Sequence, residues 1–377
     1  MNPAQKALLD ALVQHQSYLF RASSQAVNEI TAIFNKLSHS QISAIFELIE
    51  SLTDSERKAL AVMDFSSKAK TSRALSEIKA ILNEWFALLA TELDVGFEKS
   101  AVALAVYEAT YAAEWLGESA ALVSGEKLYK EIKQRPYAGG QLVKYLFSGL
   151  TESLRRNVEH VIRDGVSQGQ TNTEIIRRIK GKRVKEGGKY IYKGGLLDAP
   201  ITSIERQVRT ARSHISTATY IDTYKALGAE YVKVVATLDG RTCKTCGNLD
   251  ANVYHIDDAS RPRFPIHPNN RTTYVPCDKD GNLAGKRPFV MDERKVKDIP
   301  KDERKHLIGQ LDANTKFKDF FDQADEFFQR TWLGKTKYEL YKKGGYTLDK
   351  FVDPLGKPYT IAQLKELDAK TFKELGL

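Results

Sequence analysis

The stretch that most limits what this chain can fold into is Ala236–Pro276, ATLDGRTCKTCGNLDANVYHIDDASRPRFPIHPNNRTTYVP. In it or directly after it lie all three cysteines, Cys243, Cys246 and Cys277, and two of the seven histidines, His255 and His267. A β-type run, Tyr231–Leu238, leads in, and Asp239-Gly240 marks a turn before the pair Cys243-Lys-Thr-Cys246. Two thiols at this spacing can face one ion, because the turn between them brings the sulfurs to tetrahedral separation. A nearby imidazole completes three ligands, and thiolate with neutral imidazole is the donor set that zinc favours. Cys243, Cys246 and His267 are therefore the candidate metal ligands, with Cys277, His255 or a water as the fourth. The same residues are also compatible with plain packing around a surface histidine, or with a redox pair.

The order T-x-D-x-R-T-C-x-x-C, a loop with an aromatic, then P-x-H-P-N-x-R resembles the signature of the phage Mu F-like head morphogenesis family, the minor head proteins of tailed phages. The residues that carry the resemblance are Thr237, Asp239, Arg241, Thr242, Cys243, Cys246, Tyr254, Pro265, His267, Pro268, Asn269 and Arg271. The likeness spans Ser148–Pro276, and the Leu-Gly and Tyr-x-Leu-Tyr wording of the tail is similar to the family's C-terminal part. Where the family often has a Cys after H-P-N and another after the Arg, this chain has Asn270 and Thr272. That removes the obvious fourth metal ligand. The resemblance implies a non-enzymatic minor capsid protein of the virion, inside the head in few copies and near the portal. It would aid procapsid assembly, DNA packaging or genome ejection, with portal, capsid and scaffolding proteins as partners and the host cytoplasm as the place of assembly.

A length of 377 residues suits two or three domains. We expect a helical N-terminal domain over 1–133, the Mu F-like module over 141–277, and a C-terminal extension with aromatic-rich helices over 278–377. The fold class is mainly α with a small α+β module. A net charge of +9 favours a polyanionic neighbour, either nucleic acid or an acidic protein surface. So few cysteines make no disulfide framework, which points to a reducing compartment. The start, Met-Asn-Pro-Ala-Gln-Lys, has no apolar secretory core, and no stretch approaches the roughly 20 apolar residues of a membrane span.

Helical spacing dominates the first third. Ser38-x-x-Gln41 and Thr53-x-x-Glu56 read as capping boxes, and Leu75, Ile78, Ile81/Leu82, Trp85 and Leu88/Leu89 make one apolar face. Val95–Leu122 is Ala-rich, with Val102, Val106, Tyr107, Tyr111 and Trp115 as its larger side chains. Gln134–Gly140 reads as a linker, and Leu142–Asp164 resumes helical spacing, punctuated by Gly165 and Gly169. Thr171-x-x-Glu174 caps a short helix. The most basic stretch follows: Arg177, Arg178, Lys180, Lys182, Arg183, Lys185, Lys189 and Lys193, interleaved with glycines and with Tyr190 and Tyr192. It is either a solvated hairpin or a surface for double-stranded DNA, holding phosphates without reading sequence. Ile201–Leu227 is a helix whose Arg209 and His214 are placed to satisfy carbonyls of the irregular loop after it. Asp278–Asp312 reads as extended or partly ordered, Phe317–Phe328 as one aromatic helix, Lys335–Tyr341 as another, and Thr360–Leu377 as the last.

Several chemistries are missing. No G-x-x-x-x-G-K-[ST], G-x-S-x-G or H-E-x-x-H occurs, so neither a packaging ATPase nor these hydrolases are expected. The alternatives to a head protein are a treble-clef, HNH-like metal-dependent nuclease and a non-specific DNA-binding protein. The nuclease needs a His general base beside a divalent metal, yet the hallmark Asp-His pair is absent, since His267 follows Ile266.

Overall fold

Three helices open the chain in this computed structural model: α1 (Pro3–Ser51), α2 (Asp54–Ala61) and α3 (Arg73–Trp115). The structure describes the backbone of residues 3–115, 125–137, 140–186, 188–283, 285–292, 294, 296–354 and 356–377, and the side chains of these except 3–18, 20, 21, 115, 125, 189, 190 and 297. The sequence reading thus falls outside it for 116–122 and for the side chains of Trp115, Lys189 and Tyr190. Thr53 forms its capping box with Glu56: the hydroxyl accepts the Glu56 amide, and the Glu56 carboxylate accepts the Thr53 amide at 3.1 Å. The box expected at Ser38 does not form. Ser38 is buried inside α1, because Phe34, Ile42, Ile45 and Ile49 continue one apolar face straight through it. On α3, Leu75, Ile78, Leu82, Trp85 and Leu89 are buried as the spacing predicts.

Helix α4 (Gly125–Ile132) ends just before the Gln134–Gly140 segment, whose Tyr137 turns inward and is buried. A 3-10 turn at Val143–Tyr145 leads into α5 (Ser148–Ser167) and α6 (Asn172–Lys180), the latter opened by the Thr171/Glu174 capping box. Gly165 does not interrupt α5. A Cβ there would sit 2.6 Å from the Ile175 side chain, so glycine is what lets α6 pack closely on α5. A hairpin of β1 (Lys182–Glu186) and β2 (Lys189–Lys193) precedes α7 (Asp198–Ala226). One apolar core gathers Ala26, Phe34, Trp85, Phe97, Tyr137, Phe147, Ile162, Ile179, Val208 and Ile215, so it runs on both sides of the Gln134–Gly140 segment.

Beyond α7 the backbone changes character. Strand β3 (Tyr231–Val235) is rich in β-branched residues, and β4 (Leu238–Asp239) hands the chain to the short α8 (Lys244–Leu249). Strands β5 (Val253–His255) and β6 (Thr273–Cys277) flank β3, both antiparallel to it. The segment read as extended or partly ordered builds β7 (Lys286–Val290), α9 (Lys301–Leu307) and β8 (Ile308–Asp312) instead. Strand β7 lies between β4 and β8, parallel to the first and antiparallel to the second. The aromatic helix is split into α10 (Phe317–Gln323) and α11 (Glu326–Leu333), because Asp325 accepts the Phe328 amide at 2.8 Å and starts a new helix. Next comes α12 (Lys335–Lys343). The last expected helix likewise splits at Asp368 into α13 (Ile361–Leu367) and α14 (Ala369–Leu375). Phe317, Phe320, Phe321, Phe328 and Trp332 are core, while Phe327 is 74% exposed.

Asp250 clasps this C-terminal unit to the central sheet. Fully buried, it accepts the amides of Ala236 and Phe317 at 2.7 Å each and both ends of the buried Arg287 guanidinium at 3.0 and 3.1 Å. A buried carboxylate is tolerated when its oxygens are satisfied in this way. Among the described residues no helix is long and apolar enough to cross a membrane.

Candidate functional site

Cys243 is the N-cap of α8: its sulfur accepts the Cys246 amide at 3.3 Å, which holds both thiols on one side of the turn. The loop after β5 returns through the cis Phe264-Pro265 bond and presents His267. His267 Nε2 lies 3.2 Å from Cys243 Sγ and 3.3 Å from Cys246 Sγ, while Nδ1 contacts the Pro268 carbonyl at 2.9 Å. Asn270 is buried beside them. Its Nδ2 donates to Cys246 Sγ at 3.0 Å and lies 3.3 Å from His267 Nε2, and its Oδ1 accepts the Thr272 amide at 3.1 Å. Hydrogen bonds from Cys246 and His267 outweigh burial and bring the Cys243 thiol down to about 4. Cys246 is pushed up by its bond to Cys243 and by burial, and His267 is raised chiefly by Cys243.

The donor set fits a zinc ion. The three ligand atoms lie within 4.8 Å of one another. A tetrahedral zinc with ordinary bond lengths would place sulfur and nitrogen about 3.6 Å apart, so a small opening of the knot accommodates it. Cys277 and His255 do not join. Both are in register with Tyr231 at the start of β3, whereas the knot adjoins the other end, near Val235 and Thr273. Four residues of strand separate the two by about 13 Å. The protein groups that border the ligands are Asn270 and Thr272, both residues that sequence reasoning counted as gaps and both bonded to Cys246 through their side chains. Asn270 presents an amide N–H to the knot, because its oxygen accepts the Thr272 amide.

The rest of the motif forms a second lock. Asp239 is buried and accepts both Arg271 guanidinium nitrogens, at 2.5 and 2.8 Å, together with the Arg241 amide at 3.0 Å and the Thr242 hydroxyl at 3.2 Å. Burial pushes its carboxyl up, but Arg271 and Arg241 leave it below the usual carboxylate range. Thr242 also donates to the Thr237 carbonyl. Helix α7 reaches this loop through His214, which makes a backbone hydrogen bond to Phe264 as expected, and also through two residues that the sequence reading did not single out. Thr210 accepts the Asn269 amide at 3.2 Å and Ser213 donates to the Asn270 carbonyl at 3.2 Å, whereas Arg209 pairs with Glu205. His214 is buried against Tyr137, and burial lowers its pKa. Arg212, also buried, donates to the Ser100 carbonyl on α3.

The basic stretch is an ordered hairpin, and part of its charge is used internally. Lys180 is buried, donating to the His39 carbonyl and the Ser43 hydroxyl of α1 at 3.2 and 3.1 Å. Arg178 pairs with Asp164 at 2.6 Å, and Lys193 pairs with Glu186 across the strands. These contacts root the hairpin, so none of the three is a bare phosphate-facing charge. Arg177, Lys182, Arg183 and Lys185 are exposed, and Arg183 lies opposite Tyr192, whose ring is 5.1 Å from that of His39.

Residues 156–275, from α5 through the knot to β6, match the family model described as Phage Mu protein F like protein, so this span is similar to that family. No curated protein and no solved structure matches the chain.

Proposed function

We propose that the chain is a non-enzymatic minor component of a tailed-phage head, located inside the virion beside the portal. There it would aid head assembly, DNA packaging or genome delivery, after a passage through the host cytoplasm. The observation that carries this reading is the content of the Mu F-like span: its motif residues are spent on one another, in the Cys243/Cys246/His267/Asn270 knot and the Asp239–Arg271 lock. Such an arrangement makes a rigid module rather than a reaction centre. Zinc, when bound, would be held by Cys243, Cys246 and His267 and would supply a cross-link between α8 and the loop before Arg271. The exposed Lys182, Arg183 and Lys185 support loose, sequence-independent contact with duplex DNA, and portal or capsid surfaces are the expected protein partners.

Against the nuclease, His267 has Nε2 between two sulfurs and Nδ1 at a carbonyl, which leaves no nitrogen for a general base. Incubation of the purified protein with duplex DNA and magnesium, manganese or zinc should leave the DNA intact. Cleavage that His267→Ala abolishes would replace the structural reading with an enzymatic one.

A further inference from the structure

The knot brings two sulfurs together, and one of them is much more open to solvent than the other. Cys243 and Cys246 hydrogen-bond to each other, and both approach the same His267 nitrogen, at 3.2 and 3.3 Å. The Cys246 amide also donates to Cys243 Sγ at 3.3 Å, so the turn already bends back on that sulfur. This is the spacing of redox-active dithiols. A disulfide asks for Cα atoms about 4.4–6.8 Å apart, a span that residues three apart in a helical turn meet. Cys243 is half-buried and lines a cleft of about 710 Å³ together with Lys244, Met291, Phe328 and Trp332. Cys246 is 3% exposed and takes no part in that lining. Cys277, the remaining cysteine, pairs in register with the first residue of β3, about 13 Å from the knot, so neither of the other thiols is in its reach.

We propose that Cys243 and Cys246 are a reversible redox pair, converted to an internal disulfide by a small-molecule disulfide such as oxidised glutathione. In the first step the Cys243 sulfur, reached through the cleft, attacks one sulfur of glutathione disulfide. A mixed disulfide forms and one glutathione leaves as its thiol. In the second step the Cys246 sulfur attacks Cys243 Sγ, closes the internal bond and releases the second glutathione. One S–S bond breaks in the oxidant and one forms in the protein. The two protein thiols supply two electrons, and their two protons end on the released glutathiones. Closing the bond takes both sulfurs from His267 and Cys246 Sγ from Asn270, while the Asp239–Arg271 lock stays intact. In a head protein, the reading proposed above, such a pair meets a reducing cytoplasm during assembly and an oxidising medium afterwards. The exchange chemistry itself does not depend on that reading.

The test uses the full chain, held metal-free in chelator, in glutathione buffers of graded ratio. Acid quenching, alkylation and peptide mass analysis follow. In excess glutathione disulfide, Cys243 and Cys246 should be lost to alkylation together, as linked peptides, and excess reduced glutathione should restore both. Cys246→Ser should stop at one glutathione on Cys243. Cys243→Ser should leave Cys246 about tenfold slower to react, as its burial predicts. Cys277→Ser should form the same link as the parent. Circular dichroism should show parental helix content in each variant, and the link in the parent decides the matter without them. A parent whose Cys243 and Cys246 stay alkylatable in excess glutathione disulfide would overturn the proposal. So would separate glutathione adducts in place of the link, or a Cys246 that reacts as fast in Cys243→Ser as Cys243 does in Cys246→Ser.

Discussion

Asn270 governs how the knot can hold a metal. In its present orientation it offers a donor rather than a lone pair, so a bound zinc would have three protein ligands and be bound more weakly than in a four-ligand site. Protein made in zinc-replete medium should contain about one equivalent. Cys243→Ser should lose the metal and melt several degrees lower, whereas Asn270→Cys should keep it against a chelator that strips the parent. Stoichiometric absence of metal from the parent would make the knot a purely hydrogen-bonded one. At this scale the sequence was partly legible. Cys243, Cys246 and His267 announce themselves by residue type and spacing, and Asp239 and Arg271 by a shared motif. Asp250 and Arg287 do not: they are 37 residues apart, neither belongs to a periodic pattern, and only the folded chain brings them together in the interior.

Elements were legible where a local rule sufficed. The Thr53 and Thr171 caps, the face of α3 and the long α7 follow from patterns a few residues wide. Boundaries failed where a single polar residue competed with an apolar run. Asp325 and Asp368 cut helices that spacing alone extends, and Ser38 failed to cut one because its neighbours bury it. Strands β7 and β8, which pair with each other, were missed because neither carries a regular alternation of apolar residues, and β4, the other neighbour of β7, is only two residues long. For the hairpin, the number of cations that touch phosphate sets the expected behaviour. Each phosphate contact contributes a log–log salt slope of about −0.9, so replacing Lys182, Arg183, Lys185 and Lys189 with Ala should flatten the slope of duplex binding by roughly three units. An unchanged slope would mean that these charges serve an acidic protein surface instead.

At the scale of the whole molecule, the mainly helical class with one small α+β module was legible from composition and spacing. What the sequence alone left open was how the parts are joined. The core that includes both α1 and α7 and the Asp250 clasp are long-range features, dependent on contacts that no local pattern encodes. They make a body that presents the knot module and the basic hairpin on one scaffold. The most direct measurement is quantitative mass analysis of purified virions beside empty procapsids from the phage that encodes this chain. The account predicts the protein in both particles, at a few copies per head and protected from external protease. Its absence from both, with the protein recovered only as a free species, would contradict the account.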